Sequence, residues 1–111
     1  MITVTEEVLK QMVQAIVREV DPEEIRLFGS RARGEGGPDS DVDLLVVESE
    51  PFGPERVRLA EMTRIRRALA GFRISKDILV FSKDEVAYWR DSLNHITARC
   101  WREGRLVYVR K

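Results

Sequence analysis

The chain has 111 residues, 43% apolar and 34% charged, and its nineteen basic and nineteen acidic side chains cancel. That size and balance predict one globular domain over 1–111 and exclude an overall field that would draw nucleic acid or a membrane surface. The single cysteine, Cys100, excludes an internal disulfide framework, and no apolar run reaches the roughly 18 residues of a membrane span; without a signal-peptide pattern, a cytoplasmic protein is expected.

In chain order, apolar residues at Val8, Leu9, Met12, Val13, Ile16, Val17 and Val20 form one helical stripe, so the first element is a helix capped by Thr5 and ended by Asp21-Pro22. Ile25 to Phe28 is a short buried strand. Residues Gly29 to Ser40 contain four glycines and a proline, too many for regular structure, and predict a loop. The near-continuous apolar run Val42 to Val47 predicts a strand buried on both faces. Glu55 to Leu69 follows as a helix with an imperfect stripe, a solvated face of Arg56, Arg58, Arg64, Arg66 and Arg67, and Gly71 as its cap. Ile74 to Phe81 is a third strand. Lys83 to Arg102 reads as one long helix carrying Val86, Trp89, Leu93, Ile96, Thr97 and Cys100, and Leu106 to Val109 as a last strand. The order α-β-β-α-β-α-β predicts an α/β (α+β) fold, a mixed central sheet flanked by helices.

The chemistry concentrates in "RLFGSRARGEGGPDSDVDLLVV". Gly29 after a strand lets the backbone approach a ligand closely, and the Gly29-Ser30 turn offers consecutive N–H groups to an anion. Arg31 and Arg33 add cations whose shape suits phosphate oxygens. Asp41 and Asp43 alternate on a strand and so project to one face, where two carboxylates repel unless a cation lies between them. Such oxygen donors match Mg2+ or Mn2+, and Asp77 in "RISKDILVF" heads the next apolar strand as the third carboxylate. A triphosphate at the turn and a metal pair on three aspartates describe in-line nucleotidyl transfer.

"GSRARG…SDVDLLV" followed by "KDILVF" resembles the minimal nucleotidyltransferases of the DNA polymerase β superfamily, and "ITARCWREGRLVY" is similar to that family's last helix and strand. The resemblance implies that Gly29 and Ser30 contact the triphosphate, that Asp41 and Asp43 hold both metals, and that Asp77 holds the catalytic metal and helps activate the nucleophile. It further implies ATP as substrate and a small helical HEPN-type toxin as partner in a hetero-oligomer, with this chain as the antitoxin that transfers AMP to a tyrosine of the toxin. Arg31, Arg33 and Ser40 complete the candidate nucleotide contacts. Each has a plainer role open to it: solvation or an ion pair with Glu35 for the arginines, a loop cap for Ser40.

Other residues have simpler explanations. His95 reads as a polar surface residue and Cys100 as core, while Trp89 and Trp101 are core or, where exposed, a partner surface. The competing function is a catalytically weak nucleotide-binding module that neutralises a helical partner by contact. Three mutually repelling aspartates favour an enzyme. Zero net charge and the lack of a basic, aromatic-lined stripe argue against gripping a nucleic-acid template.

Overall fold

The computed structural model describes residues 4–34, 41–92 and 95–111, with the backbone alone at Ile96 and Thr97. Ser40 and Leu93, both singled out in the sequence, lie outside the described residues. Helix α1 (Glu6–Val20) starts where expected: the Thr5 side chain accepts from the Val8 N–H, and Leu9, Met12, Val13 and Ile16 turn one stripe into the core. It ends at Asp21, whose left-handed φ of 46° closes the last turn through an N–H to the Val17 carbonyl. Strand β1 (Glu24–Phe28) leads directly into α2 (Gly29–Ala32), a single helical turn where the sequence predicts only loop. Gly29, at φ 73°, redirects the chain there, and the Arg33 N–H reaches back to its carbonyl.

Strand β2 (Val42–Glu48) lies inside the four-stranded sheet, ordered β3-β2-β1-β4 with β3 (Lys76–Ser82) and β4 (Arg105–Val109) at the edges. It runs antiparallel to β1 and parallel to β3, while β4 pairs antiparallel with the far side of β1 through an irregular register at Ile25/Arg26. The sheet is therefore mixed, as predicted. Both faces of β2 are covered. Val42, Leu44 and Val46 join the core under α1 and α3 (Arg58–Ala68), whereas Leu45 and Val47 pack with Val86 and Cys100 under α4 (Lys83–Trp89) and α5 (Ile96–Glu103).

The helix expected over 55–69 is shorter. Gly53 and Arg56 exchange backbone hydrogen bonds in a tight turn that occupies the first residues, and Val57 is left exposed ahead of the first helical position. Its arginines are only partly a solvated face. Arg56 binds Glu48 and Glu61, Arg58 binds Glu85 and the Val80 carbonyl, and Arg64 binds Glu61 and Glu19; Arg66 and Arg67 are exposed. Gly71 does not adopt the left-handed cap conformation, and the helix ends instead at Leu69 with bifurcated N–H bonds to Ile65 and Arg66 carbonyls.

The long helix expected over 83–102 is two helices. Ser82 and Glu85 form a reciprocal capping box that fixes the start of α4. After Arg90 come Asp91 and Ser92, side chains that compete for backbone groups, and the Ser92 N–H closes a turn onto the Trp89 carbonyl. His95 stacks on Trp89 at 4.3 Å between centroids and meets Phe81 edge-on, so it holds the returning chain rather than standing on the surface. Cys100 is buried, as expected of core, and burial pushes its thiol up to about 11. Gly104 ends α5 against backbone: a Cβ there would stand 2.2 Å from the Cys100 carbonyl oxygen.

Candidate active site

Three strands bring the site together. Phe28 of β1 is the register partner of Asp43, and Asp77 of β3 is its partner on the other side. Asp43 follows the alternation of Leu45 and Val47, so it stands at the open end of the sheet face that α4 and α5 cover. Asp41 lies just ahead of the strand, whose first N–H, from Val42, bonds the Ser75 carbonyl. Asp41 and Asp77 are exposed and Asp43 is half-buried.

Gly29 fixes the distance between the turn and the strand. A Cβ at that position would fall 2.3 Å from Asp43 Oδ2, closer than any real contact, and its positive φ is one that side chains resist. The chain thus lays bare backbone against a carboxylate, which folding alone does not require.

The electrostatics are those of a site short of positive charge. Burial, then Asp77, then Asp41 push the Asp43 carboxyl above the ordinary range, with Arg33 opposing them. Arg33 thereby belongs to the carboxylate side of the sheet, and it also pairs with Glu103 at 3.5 Å. Arg31 lines a cavity with Thr5, Leu9 and Leu27 on the α1 side. The donors are all oxygen and their mutual repulsion is what a divalent cation relieves, so Asp41, Asp43 and Asp77 fit Mg2+ or Mn2+. Among the described residues, no three His, Cys, Asp or Glu side chains already converge as a ready ligand cage. Lys76, beside Asp77, spends its amine on the Phe72 and Ile74 carbonyls, each at 2.9 Å, and so shapes the turn into β3.

The sequence reading missed a second charged centre, at the opposite end of β2. There Glu48 is 2% exposed, next to Glu61 and Arg56. A glutamate closing an apolar run reads as a strand end in sequence; only the return of α3 buries it.

One carboxylate on β2 with another just ahead of it, a third in register on the parallel neighbour β3 and a glycine turn against Asp43 make up the candidate site. The chain belongs to the nucleotidyltransferase domain family, which its residues 9–95 match. Its fold resembles that of a candidate nucleotidyltransferase from Sulfolobus solfataricus, with a TM-score of 0.65 and 24% identity over 94% of this chain and 79% of that one. It also resembles a chain of a toxin–antitoxin complex solved with AMP-PNP, with a TM-score of 0.53 and 17% identity over 92% of this chain and 74% of the other. A tri-AMPylated Shewanella oneidensis HEPN toxin in complex with MNT antitoxin contains a third similar fold, with a TM-score of 0.53 and 14% identity over 96% and 74% of the two chains. No curated protein matches the chain. Among the described residues, no helix is long and apolar enough to cross a membrane.

Proposed function

We propose that the chain is a one-domain nucleotidyltransferase of the minimal, antitoxin type, which transfers AMP from ATP to a tyrosine hydroxyl of a helical HEPN-type toxin. The observation that carries the reading is the Gly29 backbone held against Asp43 while Asp77 stands in register beside it. The likeness to folds found with AMP-PNP and with an AMPylated HEPN toxin supports the choice of nucleotide and partner.

In this reading, Gly29 and Ser30 present backbone N–H groups to the triphosphate, since the first N–H groups of a helical turn lack intrahelical partners. Arg33 approaches the same oxygens from the carboxylate side. Asp41, Asp43 and Asp77 would hold Mg2+ or Mn2+, which when bound supplies charge neutralisation of the triphosphate and activation of the attacking hydroxyl. Asp43 orients the pair because it alone is anchored between two neighbouring strands. The acceptor must sit in line with the leaving group, and positioning provides most of the acceleration. A helical partner would provide that wall in a cytoplasmic hetero-oligomer. The contact surface falls at the end of α4, where Tyr88 is 75% exposed beside Trp89. Trp101, by contrast, is covered by Arg26 at 3.8 Å and by Arg90 at 5.9 Å.

The test is transfer of label from ATP marked at the α-phosphate to the helical partner. Asp41→Asn with Asp43→Asn should abolish transfer and leave the fold intact. If the double variant still protects against the toxin as well as the parent, neutralisation proceeds by contact and the enzyme reading fails.

A further inference from the structure

The end of β2 opposite the aspartates holds a buried carboxyl whose two oxygens are treated unequally. Glu48 Oε1 accepts from Arg56 Nη2 at 2.6 Å, while Oε2 is buried with no hydrogen-bond partner among the described residues. Arg56 Nη2 also donates to Glu61 Oε2 at 3.0 Å, so one nitrogen draws two carboxyl groups together. Glu61 already has both oxygens occupied, because Arg64 Nη1 donates to its Oε1 at 3.0 Å. A second anion in this place would leave a bare, buried oxygen on a carboxylate that shares its arginine with another, at a cost of a kind that buried charge rarely bears.

We infer that Glu48 Oε2 is a proton-binding site: it carries a proton at neutral pH and donates it to Glu61, fastening the end of β2 to α3. The proton turns the bare acceptor into a donor and removes the repulsion in one step. It belongs to Glu48 rather than Glu61 because only Glu48 has an oxygen that no arginine serves. Burial, followed by the Glu61 carboxylate, pushes Glu48 up to about 8, with Arg56 opposing. The surrounding charges are accounted for. From α3 come Glu61 and Arg64, from α1 Glu19 on Arg64, and from the turn Arg56 with the exposed Glu50. Beyond β4, Arg110 is engaged by Asp21 and Glu23, and Ser82 is the neutral register partner of Glu48 on β3. A cavity of about 280 Å3 beside the cluster is lined by Glu48, Arg56, Glu61 and Arg64, while Glu48 Oε2 itself stays buried.

The sign follows from linkage. The folded state binds this proton more tightly than the unfolded chain, so its stabilisation is complete below the ordinary glutamate range and is lost as pH rises toward about 8. Glu48→Gln copies the protonated form, donor included. Its melting temperature should equal the parent's in acid, exceed it by a margin that grows from the ordinary glutamate range up to about pH 8 and then levels off, and the infrared difference between the two proteins should show one protonated-carboxyl stretch present only in the parent. Glu61→Gln, which turns an amide donor toward arginine donors, should lose stability at every pH. Parallel pH profiles for Glu48→Gln and the parent, or no protonated-carboxyl band, would overturn the assignment. Should Glu48→Gln fail to fold, selective carbon-13 labelling of glutamate decides it in the parent: one side chain must titrate well above the others, and uniform titration in the ordinary range refutes the site.

Discussion

At the scale of single residues, Gly29 and Asp43 form one device. Either residue alone reads ambiguously in the sequence, because a glycine after a strand and an aspartate on one are both common. Their contact requires the β1–β2 register that sets Phe28 opposite Asp43. Gly29→Ala is expected to lose about 1–2 kcal/mol from its left-handed backbone, and more from displacing the Asp43 carboxylate. Transfer should fall by about 100-fold or more, since small misplacements at a reacting centre are costly. Gly34 has the same φ of 73° but no described residue within 4 Å of its Cβ position, so Gly34→Ala should show chiefly the backbone term in thermal melting. Asp43→Asn tests the charge. The Asp43 carboxyl is held above the ordinary range, so with no metal present its ionisation costs stability as pH rises. The variant should melt higher than the parent at neutral pH in EDTA, and the advantage should vanish or reverse in excess Mg2+, as differential scanning fluorimetry will show.

At the scale of elements, every strand and the first helix could be read from apolar periodicity and capping chemistry, and the neighbouring places of Asp43 and Asp77 from their positions near strand starts. What could not be read depends on tertiary return. The break between α4 and α5 rests on Trp89 stacking on His95, and the fate of the arginine-rich helix rests on which carboxylates the fold delivers to it. Arg58 illustrates this. It donates to the Val80 carbonyl at 2.6 Å and forks onto Glu85, the residue that completes the Ser82 capping box. Arg58 holds Glu85 below the usual carboxylate range, so this support is present above that range and is lost as pH falls. Ser82→Ala should cost about 1 kcal/mol through the lost cap. Arg58→Met should cost a similar amount, about 1 kcal/mol, because both partners of the pair remain partly open to water. Acid titration of each variant by circular dichroism would show the Arg58→Met protein with the shallower loss.

For the whole molecule, the proposed division of labour places metal and triphosphate on this chain and the acceptor on its partner. ATP affinity measured by calorimetry should therefore require Mg2+ or Mn2+, and equal affinity in EDTA would remove the metal from the account. Pyrophosphate release should be slow with water or small alcohols and rise when the helical partner is added. Tyr88→Ala should weaken association by roughly 30-fold, the scale of an aromatic anchor, with ATP affinity unchanged.

Among the described residues, strand β4 is joined to the sheet through β1 alone, in an interrupted register, and Leu106 and Val109 remain exposed. Its hydrogen bonds can therefore open while the β1–β2 pairing that seats Phe28 against Asp43 stays closed. In native-state amide exchange, the β4 protons should disappear first, at a small fraction of the global unfolding free energy, and those of β2 last. Asp43 of the proposed centre then belongs to the slowest-exchanging unit of the protein, insulated from the fraying of the β4 edge.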